Sequence, residues 1–121
     1  MTARVAYSRR KEFVSAGDVS MSEGDYQQRI MDTAKLLNWR IVHIRPMWDR
    51  TGKRMMTPYT GHPGLPDLIL ARRGTVLLIE VKSETGKPSL DQEAWLAAAG
   101  PNGFLTHPSD WPHLLKVLES R

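Results

Sequence analysis

The sequence predicts an α/β fold, a mixed sheet of about four strands flanked by helices in the order helix, three strands, helix, strand, helix (αβββαβα). Three observations predict it. Leu68 to Ala71 and Thr75 to Val81 are apolar runs rich in Leu, Ile and Val on either side of Arg73-Gly74, the pattern of an antiparallel hairpin with a two-residue turn. Tyr26, Ile30, Ala34 and Leu37 recur at helical spacing before that hairpin, and Ser89 to Ala99 reads as a helix after it. A short strand beyond the second helix would then return parallel to the hairpin through a right-handed crossover.

In chain order, residues 1–20 carry Arg4, Arg9, Arg10 and Lys11 among Ser, Ala and Gly, which reads either as a flexible basic arm or as a simple tail before a domain spanning 21–121. Ser22 is the N-cap of the first helix and Asn38 its stop. Glu23 and Gln27 extend the apolar stripe toward the N-terminus, so both are expected to face the sheet. Trp39 to Arg45 alternates as a half-buried strand should, with Trp39, Ile41 and His43 on one face and Val42 and Ile44 on the other. Pro46 to Thr60 is loop-like or a weak β excursion around the basic turn Asp49 to Arg54, and Pro58 interrupts any strand beyond that turn. After the hairpin, Gly86-Lys87-Pro88 ends the strand, Ser89-Leu90-Asp91-Gln92 forms a capping box, and Gly100-Pro101 stops the helix. Asn102 to Thr106 is the last strand. Ser109-Asp110 caps a final helix with Trp111, Leu114, Leu115 and Leu118 as its buried stripe.

The hairpin carries the chemistry. If Arg73-Gly74 is the turn, Arg72 opposes Thr75, and stepping outward along both strands places Asp67 opposite Glu80. Directly opposed residues share a face, with Cβ atoms roughly 4.5–5.5 Å apart, where two like charges destabilise a sheet. A hard divalent cation such as Mg²⁺ offsets that repulsion, since it is held by one or two carboxylates and completes its shell with water and phosphate. Strand alternation adds Lys82 to the same face, two residues beyond Glu80.

Pro66-Asp67 followed by Glu80-Val81-Lys82 resembles the PD-(D/E)XK nuclease superfamily, and within it the small stand-alone VRR-NUC domain proteins of phages and bacteria. Ser22-Glu23, Asn38 to His43, Gly64-Leu65-Pro66-Asp67 and Ser89 to Trp95 carry the same resemblance along the chain. It implies a restriction-endonuclease-like core and Mg²⁺- or Mn²⁺-dependent hydrolysis of DNA. Asp67, Glu80 and the Val81 carbonyl would hold the ion, with Glu23 as a further ligand if it does more than complement the helix dipole. Lys82 would act on the attacking water or on the developing charge, with Gln92 beside the catalytic strand. His43 matches a family position but is read first as a core or hydrogen-bonding residue. Stand-alone members are structure-selective, which points to four-way (Holliday) junctions as substrate. Two cuts related by two-fold symmetry then call for a homodimer.

Bulk composition agrees. Seventeen Lys and Arg against thirteen Asp and Glu give a net charge of +4, which suits a polyanionic partner. Arg50, Lys53, Arg54, Arg72, Arg73 and Lys87 are the candidate contacts to the DNA backbone. Without cysteine there is neither a disulfide nor a Cys-based zinc site. No apolar run approaches the roughly 18 residues that span a bilayer, and the N-terminus has no secretory h-region, so a cytoplasmic protein with no membrane partner is expected. Two other classes share these features. A non-catalytic DNA-binding module would have no reason to keep opposed carboxylates, and a sequence-specific restriction-type nuclease would need an added segment to read base edges.

Overall fold

A computed structural model describes residues 21–121; the basic arm expected at 1–20 lies outside the described residues. The first helix, α1 (Glu23–Leu36), starts where Ser22 accepts a hydrogen bond from the Asp25 N–H at 3.1 Å and ends at Asn38, which takes the left-handed conformation (φ 65°) of a helix stop. Strand β1 (Arg40–His43) comes at once. A small ribbon is next, β2 (Met47–Trp48) paired antiparallel with β3 (Met55–Met56), so the 46–60 stretch is a β excursion rather than plain loop. The hairpin is β4 (Leu68–Arg72) and β5 (Thr75–Val81), and its turn residues Arg73 (φ 49°) and Gly74 (φ 80°) both adopt the positive φ that a type I′ turn requires. Helix α2 (Leu90–Ala99), strand β6 (Gly103–Thr106) and helix α3 (Trp111–Ser120) complete the chain.

The four-stranded sheet runs β1-β4-β5-β6, with β1, β4 and β5 antiparallel and β6 parallel to β5 through α2. This is the expected mixed sheet. Its register is also the expected one, Leu68 opposite Ile79 and Arg72 opposite Thr75. Leu68, Leu70, Leu77, Ile79 and Val81 point to one face and pack with Tyr26, Ile30 and Ala34 of α1 and with Leu114, Val117 and Leu118 of α3. The alternate residues of β5, Val76, Leu78 and Glu80, point to the other face, where α2 lies over β5 and β6. Gly103 lets that helix approach, because a Cβ there would stand 2.5 Å from the Leu96 carbonyl oxygen.

Two expectations give way to other contacts. Asp110 makes no cap to α3. Its Oδ2 instead accepts from the His107 N–H at 2.9 Å, while Ser109 donates from N–H and Oγ to Glu84 at 3.0 and 2.7 Å, tying the loop after β5 to the entry of α3. Arg72 is half-buried. Its guanidinium donates to the Leu37 and Glu119 carbonyls at 2.8 and 3.3 Å and lies 4.7 Å from the Trp39 ring centroid, clamping the ends of α1 and α3 to the hairpin.

Candidate active site

Asp67 sits one residue before β4 and Glu80 one before the end of β5, so the hairpin register brings them together at the end of the sheet opposite the turn. One Asp67 carboxylate oxygen, Oδ2, accepts from the Val81 N–H at 3.0 Å. In an extended strand a residue's N–H and C=O lie on the same edge, so the Val81 carbonyl is turned toward Asp67 as well. Lys82 points back along its own face, and its Nζ reaches Glu80 Oε2 at 2.9 Å.

Glu80 is the unusual group. Its side chain is 1% exposed, Oε2 takes both Lys82 and the Gln92 amide at 2.9 Å, and Oε1 is buried with no partner among the described residues. Burial, and then the negative charge of Asp67, push its carboxyl up from 4.5 to about 7, against the pull of Lys82. A buried carboxylate oxygen without a donor costs free energy unless something binds it. The oxygens of Asp67, Glu80 and Val81 are the donor set that Mg²⁺ and Mn²⁺ prefer, so the residues present fit such an ion.

Gln92 is fixed from both ends. Its Oε1 accepts from the Ser89 N–H in the capping box at 2.9 Å, which leaves Nε2 to hold Glu80. The Gly61 to Pro66 loop, which leads into Asp67, lies against this helix. Gly64 (φ +87°) lies so close to α2 that a Cβ would stand 2.6 Å from Asp91 Cβ and 2.7 Å from the Gln92 nitrogen, and Trp95 Nε1 donates to the Pro63 carbonyl at 3.0 Å.

Glu23 does not face the sheet as expected. It is exposed in the first turn of α1, whose buried stripe begins only at Tyr26, and among the described residues no three His, Asp or Glu side chains group around a common metal position. Gln27 does turn inward, and its Nε2 lies 2.6 Å from His43 Nε2, which gives His43 the structural partner anticipated for it.

The basic candidates divide. Arg72 is withdrawn, since its guanidinium is committed to clamping α1 and α3. Arg73 is exposed at the hairpin turn, beyond Thr75, which itself lies roughly 17 Å along β5 from Glu80 at 3.3 Å per residue. Arg50, Lys53 and Arg54 are exposed on the tip of the β2–β3 ribbon, and Lys87 is exposed on the loop after Lys82. The ribbon is rooted at the site: the Ile44 N–H donates to the Asp67 carbonyl at 2.7 Å, and the Tyr59 hydroxyl bridges the Leu65 N–H and the His62 carbonyl at 3.2 and 3.0 Å. Sequence reasoning assigned no role to the apolar residues of this ribbon, because two-residue strands carry no periodicity to read.

No helix among the described residues is long and apolar enough to cross a membrane. No curated protein and no solved structure matches the chain at a significant level. The family model described as VRR-NUC domain matches residues 21–106, from the entry of α1 through β6, and so includes Asp67, Glu80, Lys82 and Gln92. With that match over most of its length and the fold that carries it, the chain belongs to the VRR-NUC family of PD-(D/E)XK-type nuclease domains.

Proposed function

We propose that the chain is a divalent-metal-dependent endonuclease that hydrolyses phosphodiester bonds in DNA, acts on branched substrates such as four-way junctions, and works as a homodimer. The observation that carries the chemistry is Glu80, a buried carboxylate with one oxygen unpartnered beside a second carboxylate. Asp67, Glu80 and the Val81 carbonyl would hold Mg²⁺ or Mn²⁺. When bound, such an ion polarises the scissile phosphate and acidifies a water near it.

The chain's own residues do the rest. Gln92 and Lys82 pin Glu80 Oε2, so Oε1 has a fixed direction rather than a choice of rotamers. Asp67 is held by the Val81 N–H in the same way. Lys82, 17% exposed and paired with Glu80, would orient the attacking water and offset the charge that builds on the phosphate. Lys87 and the tip of the ribbon would receive the phosphates on either side, contributing charge and register but no reading of sequence.

A homodimer is what the substrate requires. Resolving a four-way junction takes two cuts in strands related by two-fold symmetry, and one copy of the chain has one site; a C₂ pair supplies the second in that relation. The test is incubation of labelled four-way junction, flap, nicked and linear DNA with the chain, with and without Mg²⁺ or Mn²⁺, alongside light scattering of the free and DNA-bound protein. Metal-dependent cutting with the junction preferred, by a dimer, is the expected result. No cutting under any metal would overturn the nuclease reading, and paired cuts by a monomer would overturn the dimer.

A further inference from the structure

The β2–β3 ribbon exposes apolar side chains on both of its faces. Trp48 pairs across the ribbon with Met55 on one side, Met47 with Met56 on the other, and the four are 49–60% exposed, with no core beneath either pair among the described residues. An isolated two-stranded ribbon is marginal in water, so something must give this one its shape. Asp49 does so. Its Oδ1 accepts from the Thr51 N–H and hydroxyl at 3.0 and 2.6 Å and from the Lys53 N–H at 3.3 Å, while the Asp49 N–H donates to the Arg54 carbonyl at 2.8 Å. The tip is therefore built, and what it presents is three exposed cations, Arg50, Lys53 and Arg54, above exposed ring and thioether surface.

We propose that this ribbon is a base-stacking wedge for unstacked DNA, with Trp48 and Met55 against a base face exposed at a branch point and the cationic tip on the adjacent phosphates. The charge selects the occupant. An apolar surface crowned by cations suits a polyanion whose bases are also open, whereas a continuous duplex presents phosphates but no free base face. Methionine and aromatic side chains are the types that seat at opened base steps. Because both feet of the ribbon are tied beside Asp67, at Ile44 and at Tyr59, recognition of the branch is linked to the place of cutting. Trp48 is four residues from Ile44, at most roughly 13 Å of extended chain, so the stacking surface stays near the carboxylates.

The inference rests on the reading of the chain as a DNA nuclease and adds how a branch would be chosen. Its test is equilibrium binding in chelator of a four-way junction and of a linear duplex of the same length and composition, by wild type, by a Trp48→Ala/Met55→Ala double variant and by Trp48→Phe. Thermal unfolding of each variant checks that the fold is kept. Wild type should prefer the junction. The double variant should lose about tenfold of that preference, and Trp48→Phe, which retains a ring, should keep most of it. A wild type with no preference, a double variant whose preference falls less than threefold, or Phe behaving like Ala would each overturn the inference. A dimer that becomes monomeric in the double variant would also overturn it, by assigning the ribbon to a second copy of the chain. Cleavage is scored apart. Lost preference in a chain that never cuts would uphold the wedge and sink the nuclease reading; cutting with preference intact would do the reverse.

Discussion

Replacing Glu80 by Gln should stabilise the metal-free protein at pH 8 and not at pH 5. The carboxyl of Glu80 titrates at 4.5 when unconstrained and at about 7 in the fold, so the folded state binds the proton more tightly than the unfolded chain does. Folding stability from this group is therefore intact below about 4.5 and is lost as pH rises toward and through 7. At 1.36 kcal/mol per pH unit, holding Glu80 ionised at pH 8 costs at most about 3 kcal/mol. A glutamine removes the charge, keeps an oxygen for Lys82 and Gln92 at the Oε2 position, and places an amide N–H at the orphaned Oε1 position. An amide replaces a protonated acid imperfectly, so the expected gain is about 1–2 kcal/mol, or roughly 4–8 °C in Tm for a chain of this size. The assay is thermal unfolding of both proteins in chelator at pH 8 and pH 5, repeated at pH 8 with excess Mg²⁺. Wild type should gain from the metal and the variant should not, since an ion stabilises only the folded state that binds it. A variant that melts at or below wild type in chelator at pH 8 would show that the ionised carboxylate is no burden on the fold.

The same geometry carries three more expected outcomes. Asp67→Asn should also raise the metal-free Tm at neutral pH, on the order of 0.5–2 kcal/mol, because an amide oxygen can still accept from the Val81 N–H while the repulsion of Glu80 is relieved; a lower Tm than wild type in chelator would contradict it. Arg72→Ala should cost about 2 kcal/mol by loosening the ends of α1 and α3, read as a lower urea midpoint, and a midpoint equal to wild type would show the clamp to be idle. Gly64→Ala should cost more than about 2 kcal/mol and lower cleavage as well, since its methyl group meets backbone of α2 and must push Asp67 away from Gln92; an unchanged melt and rate would mean that the loop yields freely.

How much of this was legible in the sequence depended on how locally each feature is determined. The hairpin was legible down to its register, because Arg73-Gly74 fixes the pairing and the pairing fixes the faces; Asp67, Glu80 and Lys82 came together for that reason alone. The capping box on α2 was likewise local, and it placed Gln92 without any knowledge of the sheet. Arg72 was misread because its partners, the Leu37 and Glu119 carbonyls, lie 35 and 47 residues away and carry no side-chain signal. Glu23 was misread because helical periodicity gives direction but not extent, and the packed stripe begins one turn later at Tyr26. The Ser109-Asp110 cap was a plausible local pattern that lost to tertiary hydrogen bonds from Ser109 to Glu84 and to a competing local bond from the His107 N–H to Asp110. The ribbon, with two residues per strand, was too short for any period to announce.

Whether Asp67, Glu80 and Lys82 form a metal-dependent nuclease site is decided by single-turnover cleavage of labelled four-way junction DNA in Mg²⁺ by wild type, Asp67→Asn, Glu80→Gln and Lys82→Ala. Junction affinity is measured in parallel. Wild type should cut, each variant should lose cleavage by at least about two orders of magnitude, and all three should still bind, because the basic surface supplies most of the affinity. Undiminished cutting by any one of the three would contradict the site.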